Sequence, residues 1–157
     1  PTVIRDGPNG IGTMQLYIHH RQEDADYFRL REQHQYEIKK IALFDLIANN
    51  TDRKAGHCLR GEDGHIWGID HGLTFHAHPK LRTVIWDFGG ESVPKQLLRD
   101  LRRTLKELEM HQGLAPELEK LLFPEEMEAL RHRLQYVLSH PEFPCLQTRR
   151  GVPWPFH

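Results

Sequence analysis

The chain has 157 residues, which is enough for one ordinary domain with its own core or for part of a larger one. Hydrophobic residues make up 38% of it, charged residues make up 27%, and the formal net charge is −1, which argues against electrostatic binding of the whole molecule to nucleic acid or to an anionic membrane. No apolar run approaches the roughly 18–20 residues of a membrane span, no signal peptide is visible, and the two cysteines suggest no disulfide framework, so we expect a cytoplasmic protein.

The first 18 residues predict extended structure around a turn. Residues 1–5 are typical of a strand or an extended lead-in, and residues 6–12 (Asp-Gly-Pro-Asn-Gly-Ile-Gly) have turn chemistry. A phosphate-binding glycine loop is the alternative, but the segment lacks the Gly-Lys-Ser/Thr signature of such loops. Residues 13–18 alternate between polar and apolar side chains, which predicts a strand with its apolar side chains on one face.

A long helix is predicted from about Tyr27 to Ala48, with Asp24 or Asp26 as its N-cap. Its second half is apolar nearly all round, as in a deeply buried helix. Asp45 lies within that apolar half, where a carboxylate needs a partner or must take up a proton. Arg53 is the candidate partner.

Two short apolar runs, residues 58–60 and 65–69, flank the turn signature Gly-Glu-Asp-Gly and predict a β-hairpin. The hairpin follows the polar loop 49–57 and ends at Asp70. The next stretch, residues 74–83, has no clear period, which is typical of a functional or mobile loop.

The rest of the chain predicts mainly helix. Residues 84–88 are expected to be a short buried element, and Ser92 is expected to cap a helix that runs to about His111 with a leucine stripe on one face. Proline at a first-turn position indicates a second helix at about 116–122, and a third is predicted between Pro124 and Pro141. The proline-rich tail predicts extended packing or disorder. The predicted fold class is therefore α+β and mostly helical.

Asp52 and Asp70 are the residues most suited to chemistry. Phosphoryl transfer needs one carboxylate to orient or deprotonate the attacking hydroxyl, and further ligands to hold Mg²⁺ on the phosphates. Asp52 fits the first role, Asp70 fits the second, and His57 is close enough in the sequence to be a further ligand. The alternative is structural, with Asp52 turning the loop and Asp70 ending the hairpin.

A histidine-rich metal site is a competing interpretation. Five possible ligands occur within 22 residues and could hold Zn²⁺, manganese or iron, which would activate water for hydrolysis. No His-Glu-x-x-His or comparable spacing occurs among them, so the signal for a particular metal is weak. The candidate ligands are His57, Asp70, His71, His76 and His78.

Two blocks of sequence resemble a known family. Asn-Thr-Asp-Arg at 50–53 and Ile-Asp-His-Gly-Leu at 69–73 resemble the catalytic and metal-binding loops of the phosphatidylinositol 3- and 4-kinase superfamily. The type II phosphatidylinositol 4-kinases and the HipA-type bacterial kinases are the relatives they suggest. Residues 12–18 resemble the strand that enters the hinge between the two kinase lobes, and residues 80–88 extend the resemblance to an actinobacterial branch of the superfamily.

That resemblance implies a phosphotransferase that uses ATP and Mg²⁺ (or Mn²⁺) and passes a phosphoryl group to a hydroxyl. Asp52 would be the catalytic-loop acid, supported by Arg53 and Asn50. Asp70 would hold the metal, with His57 as a further ligand. The residues implied near the adenine of the nucleotide are Gln15, Tyr17, Ile18 and His19.

The sequence departs from the family pattern in two ways. His57 stands where the family has asparagine, and imidazole prefers softer metals than Mg²⁺. No lysine precedes Lys39 to contact the nucleotide phosphates. The resemblance therefore implies that residues 1–157 form a single domain, a hinge strand at about 1–18 plus a carboxy-terminal kinase lobe whose amino-terminal lobe is missing. A pseudokinase or nucleotide-binding module without turnover is the alternative, and the acceptor is left open between lipid, protein and small molecule.

Overall fold

The computed structural model describes residues 2–155 and has the predicted α+β composition, with five helices and two small antiparallel sheets among those residues. None of the helices is long and apolar enough to cross a membrane within this described range. The strands are β1 (Thr2–Gly7), β2 (Gly10–Gln15), β3 (Cys58–Arg60) and β4 (Ile66–Gly68). The helices are α1 (Tyr27–Gln33), α2 (Gln35–Ala48), α3 (Lys95–Glu109), α4 (Ala115–Leu121) and α5 (Pro124–Ser139).

The first hairpin, β1–β2, corrects the prediction of a strand at 13–18. The second strand ends at Gln15 and residues 16–18 are not in a strand, because β2 is defined by its pairing with β1, in which Thr2 lies opposite Gln15 and Gly7 opposite Gly10. The glycine at position 10 has a φ of +102°, which favours glycine at the turn. Every residue of both strands is exposed, so neither face of this hairpin packs on the described body of the protein.

The single helix predicted from Tyr27 to Ala48 is two helices. His34 has φ −128° and ψ 42°, which are not helical dihedrals, so the chain bends between α1 and α2. The cap was predicted correctly, since the Asp26 carboxylate accepts a hydrogen bond from the backbone N–H of Phe28. The end of α2 was also predicted correctly, with Asn49 in the left-handed conformation as its C-cap.

The third helix begins two residues later than predicted. Ser92 is not a cap but pairs in a β-bridge with Glu142, and α3 begins at Lys95. The cause is Pro94. A proline disfavours helical dihedrals in the residue that precedes it, so the helix cannot include that residue and starts further along the chain. The leucine stripe does face the core, with Leu97 and Leu98 buried.

Two hydrophobic clusters form the core. One lies among α1, α2, α3, the β3–β4 hairpin and the tail, and the other joins α3, α4 and α5. Residues 84–88 have no regular structure, but Val84, Ile85 and Phe88 are buried in the first cluster. Of the two alternatives predicted for the tail, extended packing and disorder, the structure shows extended packing. Phe143 is buried there and exchanges backbone hydrogen bonds with Gly90 and Glu91.

Candidate functional site

A buried ion pair lies beneath the loop that carries Asp52. Asp45 on α2 and Arg53 in the loop are both 0% exposed. The guanidinium donates two hydrogen bonds to the two carboxylate oxygens, from Nη2 to Oδ1 at 2.8 Å and from Nε to Oδ2 at 2.9 Å. The predicted partnership of these two residues is confirmed. A two-point contact of this kind fixes orientation as well as distance.

The remaining donors of Arg53 tie the loop to the end of the second hairpin. Its Nη1 donates to the backbone carbonyl of Ile69 at 2.6 Å, one residue before Asp70. Its Nη2 lies 2.9 Å from Nδ1 of His71. One guanidinium therefore positions the segments on which both candidate carboxylates stand.

His71 was considered as a metal ligand, but in the structure it belongs to the hydrogen-bond network of Arg53. Its Nε2 lies 3.0 Å from the carbonyl of Gly68, which can only accept, so Nε2 carries the hydrogen and Nδ1 is left to accept from Arg53. Burial lowers the pKa of His71, and the positive charge of Arg53 lowers it further. The imidazole is thus held neutral as part of the network. The sequence around Asp45 did not predict that His71 accepts a hydrogen bond from Arg53.

Two asparagines connect this network to the following loop. Asn49 is 2% exposed, and its amide donates to the carbonyls of His76 and His78, both at 2.8 Å. Its Oδ1 accepts from the backbone N–H of Lys80 at 2.9 Å. Asn50 was predicted as a supporting residue, and it donates to Asp45 at 2.8 Å. Asn49 was missed as an organising residue, although a left-handed asparagine after a helix is a common C-cap.

The backbone N–H of Asp52 donates to Oδ1 of Asn50 at 3.1 Å. The carboxylate of Asp52 is partly exposed and lies 3.6 Å from Nζ of Lys54. Its side chain is thus held by a loop whose backbone is fixed, while its oxygens are accessible from solvent.

Asp70 presents its carboxylate outward from the end of the β3–β4 hairpin. Its side chain is 62% exposed, and its backbone is left-handed with φ +55°, a conformation that aspartate tolerates better than most residues. One carboxylate oxygen, Oδ2, lies 3.4 Å from Nε2 of His57. Burial lowers the pKa of His57, whereas the charges of Asp70 and Asp52 both act to raise it. Asp70 is therefore the candidate carboxylate that lies next to this largely buried imidazole.

Three of the four residues expected near adenine line a pocket of about 170 Å³. The pocket lies between the segment after β2 and the second hairpin, and one wall is Ile69, the residue before Asp70. His19 is not among its lining residues; its carbonyl accepts from the backbone N–H of Glu62 at 3.0 Å. The lining residues are Gln15, Leu16, Tyr17, Ile18, His20, Leu59 and Ile69.

The histidine-rich metal site is not assembled in the structure. Within residues 2–155 no group of three or more histidine, cysteine, aspartate or glutamate side chains is arranged to hold a metal. His76 and His78 are not in a strand, and Nε2 of His76 is 3.0 Å from Nζ of Lys80. Cys58 beside His57 is fully buried, and burial raises its pKa to about 12, so it packs as expected and is not a thiolate ligand.

Comparison with known proteins agrees with the class that these loops suggest. The family model for phosphatidylinositol 3- and 4-kinases matches residues 6–139. The chain therefore belongs to the phosphatidylinositol 3- and 4-kinase family. It is also 32% identical to protein Rv2133c of Mycobacterium tuberculosis over 188 aligned residues, a match that covers 98% of this chain and 67% of that protein. No solved structure matches it.

Proposed function

We propose that this domain is the catalytic lobe of an atypical, lipid-kinase-like phosphotransferase that moves the γ-phosphoryl group of ATP to a hydroxyl. The observation that carries the proposal is the shared anchoring of two loops by Arg53. This side chain is bonded to the backbone just before Asp70 and belongs to the same loop as Asp52, and Asp70 lies 3.4 Å from His57, which ends that loop. Phosphoryl transfer requires carboxylates on loops that are held in a stable arrangement, and Arg53 supplies such a link between these two loops.

In this proposal Asp52 orients the acceptor hydroxyl and accepts its proton. The role suits a carboxylate that is partly exposed on a loop with a fixed backbone, since its oxygens can reach a substrate without reorganisation of the loop. Arg53 and Asn50 are positioning residues, because their contacts are with Asp45 and the loop backbone and both are buried.

Asp70 is the proposed ligand of Mg²⁺ or Mn²⁺. Its exposed carboxylate fits a hard cation, which prefers oxygen ligands and keeps several waters of its own. When bound, such a cation neutralises charge on the nucleotide phosphates. The pocket along Tyr17 and Ile18 is the proposed position of the adenine ring, since its wall at Ile69 leads directly to Asp70.

An amino-terminal lobe is proposed to cover the first hairpin in the complete protein. An isolated two-stranded hairpin is marginally stable in water, and β1–β2 exposes apolar side chains on both faces, among them Val3, Ile4, Ile11 and Met14. Hydrogen exchange of the full-length protein tests this: amides of residues 2–15 should be protected at least as well as those of β3–β4. Exchange as fast as in a free peptide would contradict the proposal.

The test of phosphotransfer is Mg²⁺-dependent ATP turnover by the full-length protein. Asp52→Asn should abolish turnover while nucleotide binding and the unfolding midpoint stay unchanged. Asp100→Asn, which removes the same charge from a side chain of α3 that is 44% exposed, is the matched control and should have no effect. Equal turnover by Asp52→Asn and the unsubstituted protein would refute the assigned role.

Nucleotide binding without turnover is a second candidate, and His57 is the observation that favours it. Burial lowers the pKa of this imidazole, and a neutral imidazole is a poor ligand for Mg²⁺. If this candidate is right, ATP should raise the melting temperature of the unsubstituted protein without being consumed. His57→Asn, which restores the family residue, should then produce turnover.

A further inference from the structure

A second, strongly basic pocket lies beside the catalytic loop. It has a volume of about 400 Å³ and forms between the loop that follows the β3–β4 hairpin and the tail of the chain. It shares one residue with the site described above, Lys80, whose backbone N–H donates to Asn49 and whose Nζ lies 3.0 Å from Nε2 of His76. Its lining residues are Pro79, Lys80, Leu81, Arg82, Thr148, Arg150 and Gly151.

The charge of this pocket is unbalanced. Lys80, Arg82 and Arg150 line it, and Arg149 adjoins it in sequence, yet within residues 2–155 none of these four forms an ion pair with a carboxylate. Arg103 on α3, by contrast, has two acidic neighbours within 4 Å. The whole chain has a net charge of only −1, so this concentration of cations is local. Grouped, unpaired cations attract an anion.

Both walls of the pocket are held in place by backbone hydrogen bonds. The N–H of Arg82 donates to the carbonyl of Asn50 at 2.9 Å, and its own carbonyl accepts from Arg53 at 3.1 Å, so Arg82 runs directly alongside Asp52. On the other side, the carbonyl of Gly151 accepts from the backbone N–H of Thr83 at 2.9 Å. The tail is thereby fixed against the loop that borders the catalytic residues.

We propose that this pocket binds a phosphate group, and that the tail segment 148–151 completes it. Guanidinium groups recognise phosphate oxygens through paired, charge-assisted hydrogen bonds, and a lysine adds a point charge. Thr148 also lines the pocket, and a threonine hydroxyl can donate a hydrogen bond to a phosphate oxygen. The phosphate belongs either to a lipid headgroup or to a free phosphorylated molecule.

Phosphate binding by this pocket does not depend on the proposed function. That the bound phosphate belongs to the acceptor does rest on the proposed function. The pocket adjoins the strip that runs beside Asp52, so an acceptor held by its phosphate would have its hydroxyl near the catalytic loop. Acceptors without a phosphate would then be poor substrates. The tail would contribute to acceptor selection although it is far from Asp52 in sequence.

Binding to the full-length protein tests the proposal with two phosphomonoester probes. Titration calorimetry measures glycerol 3-phosphate, and flotation measures vesicles of phosphatidylcholine that contain phosphatidic acid. Arg82→Gln combined with Arg150→Gln should weaken binding of the effective probe about tenfold or more, since both charge-assisted guanidinium contacts are lost. The matched control is Arg102→Gln, an exposed arginine of α3, which should change the affinity less than about twofold because it does not line the pocket.

The results distinguish the two sources of the phosphate from each other and from unspecific charge attraction. Binding of glycerol 3-phosphate would assign a free phosphorylated molecule, and binding only of phosphatidic acid vesicles would assign a lipid headgroup. Equal binding of vesicles in which phosphatidylglycerol replaces phosphatidic acid would indicate unspecific charge attraction and overturn the proposal. Failure of both probes would overturn it too.

The same variants distinguish this inference from the proposed function. Asp52→Asn should lose turnover yet bind the phosphate probe as before. Phosphate binding by a protein with no ATP turnover would leave the pocket assigned and refute the phosphotransferase. Turnover whose KM for the acceptor is unchanged in the double arginine variant would refute the pocket's role and leave the phosphotransferase intact.

Discussion

The loop at residues 49–57 and the first hairpin differ in what determines their shape. In the loop, Asn49, Asn50 and Arg53 are at most 2% exposed, and their side chains bond to α2, to the second hairpin and to the following loop. In the hairpin every residue is exposed, and its geometry depends on pairing between β1 and β2 alone. The loop at residues 49–57 is therefore fixed by contacts within the domain, whereas the hairpin has only its own strand pairing to define it. Four substitutions can break or sharpen that contrast.

The largest effect is expected for Arg53→Met. The substitution leaves the Asp45 carboxylate buried with no cation, and loss of one partner from a buried pair costs about 3–5 kcal/mol. Urea unfolding should report this loss in the midpoint. A double variant that also carries Asp45→Leu should recover much of it, because neither charge is then buried alone. A single variant as stable as the unsubstituted protein would refute the structural role of the pair.

The next effect is expected for Asn49→Gly. Glycine keeps the left-handed backbone at φ +55° but removes the three hydrogen bonds to the following loop, for a cost of about 1–3 kcal/mol. The segment around Lys80 should also open more often, so native-state trypsin cleavage after Lys80 should accelerate. Asn9→Gly in the exposed hairpin turn is the control and should not change that rate. Unchanged cleavage in Asn49→Gly would show that the loop is ordered by other contacts.

Acid should destabilise the loop through His71. Burial lowers the pKa of His71 in the folded protein, so the unfolded chain takes up the proton first. The stability from this group is present above its unfolded pKa of about 6.5 and is lost as the pH falls through the folded value. His57 acts in the same direction, because burial also lowers its pKa.

His71→Gln isolates that contribution, since glutamine keeps an oxygen that can accept from Arg53 and does not titrate. The free energy of unfolding should fall less between pH 7 and pH 5 in this variant than in the unsubstituted protein. His132→Gln, at a side chain 68% exposed, is the matched control and should leave the pH dependence as it is. Equal pH dependence in all three proteins would exclude His71 as the source.

The smallest effect is expected for Ile11→Ser in the hairpin. Ile11 is 81% exposed, so in this domain alone the substitution should change the free energy of unfolding by no more than about 0.5 kcal/mol. In the full-length protein the same substitution should cost distinctly more if another lobe covers the hairpin. Equal small effects in both would remove the support for such a lobe.

Local pattern predicted much of the fold. The stripe of α5, its first-turn proline and the cap of α1 are all short-range features, and each was predicted correctly. The break at His34 was missed because a histidine in an amphipathic run carries no helix-stopping signal. The cap assigned to Ser92 was wrong because the effect of Pro94 on its neighbours was not weighed.

The candidate site divides in the same way. The sequence predicted the Asp45–Arg53 pair correctly, because a carboxylate in an apolar helix needs a partner. Residue type and spacing also made Asp52 and Asp70 candidates, and their roles stay predictions. Only the tertiary structure decided that His71 accepts from Arg53, that the histidines do not gather, and that Arg150 joins Arg82 at one pocket. Those contacts join residues far apart along the chain, and their geometry depends on how the helices and loops pack, which no local pattern encodes.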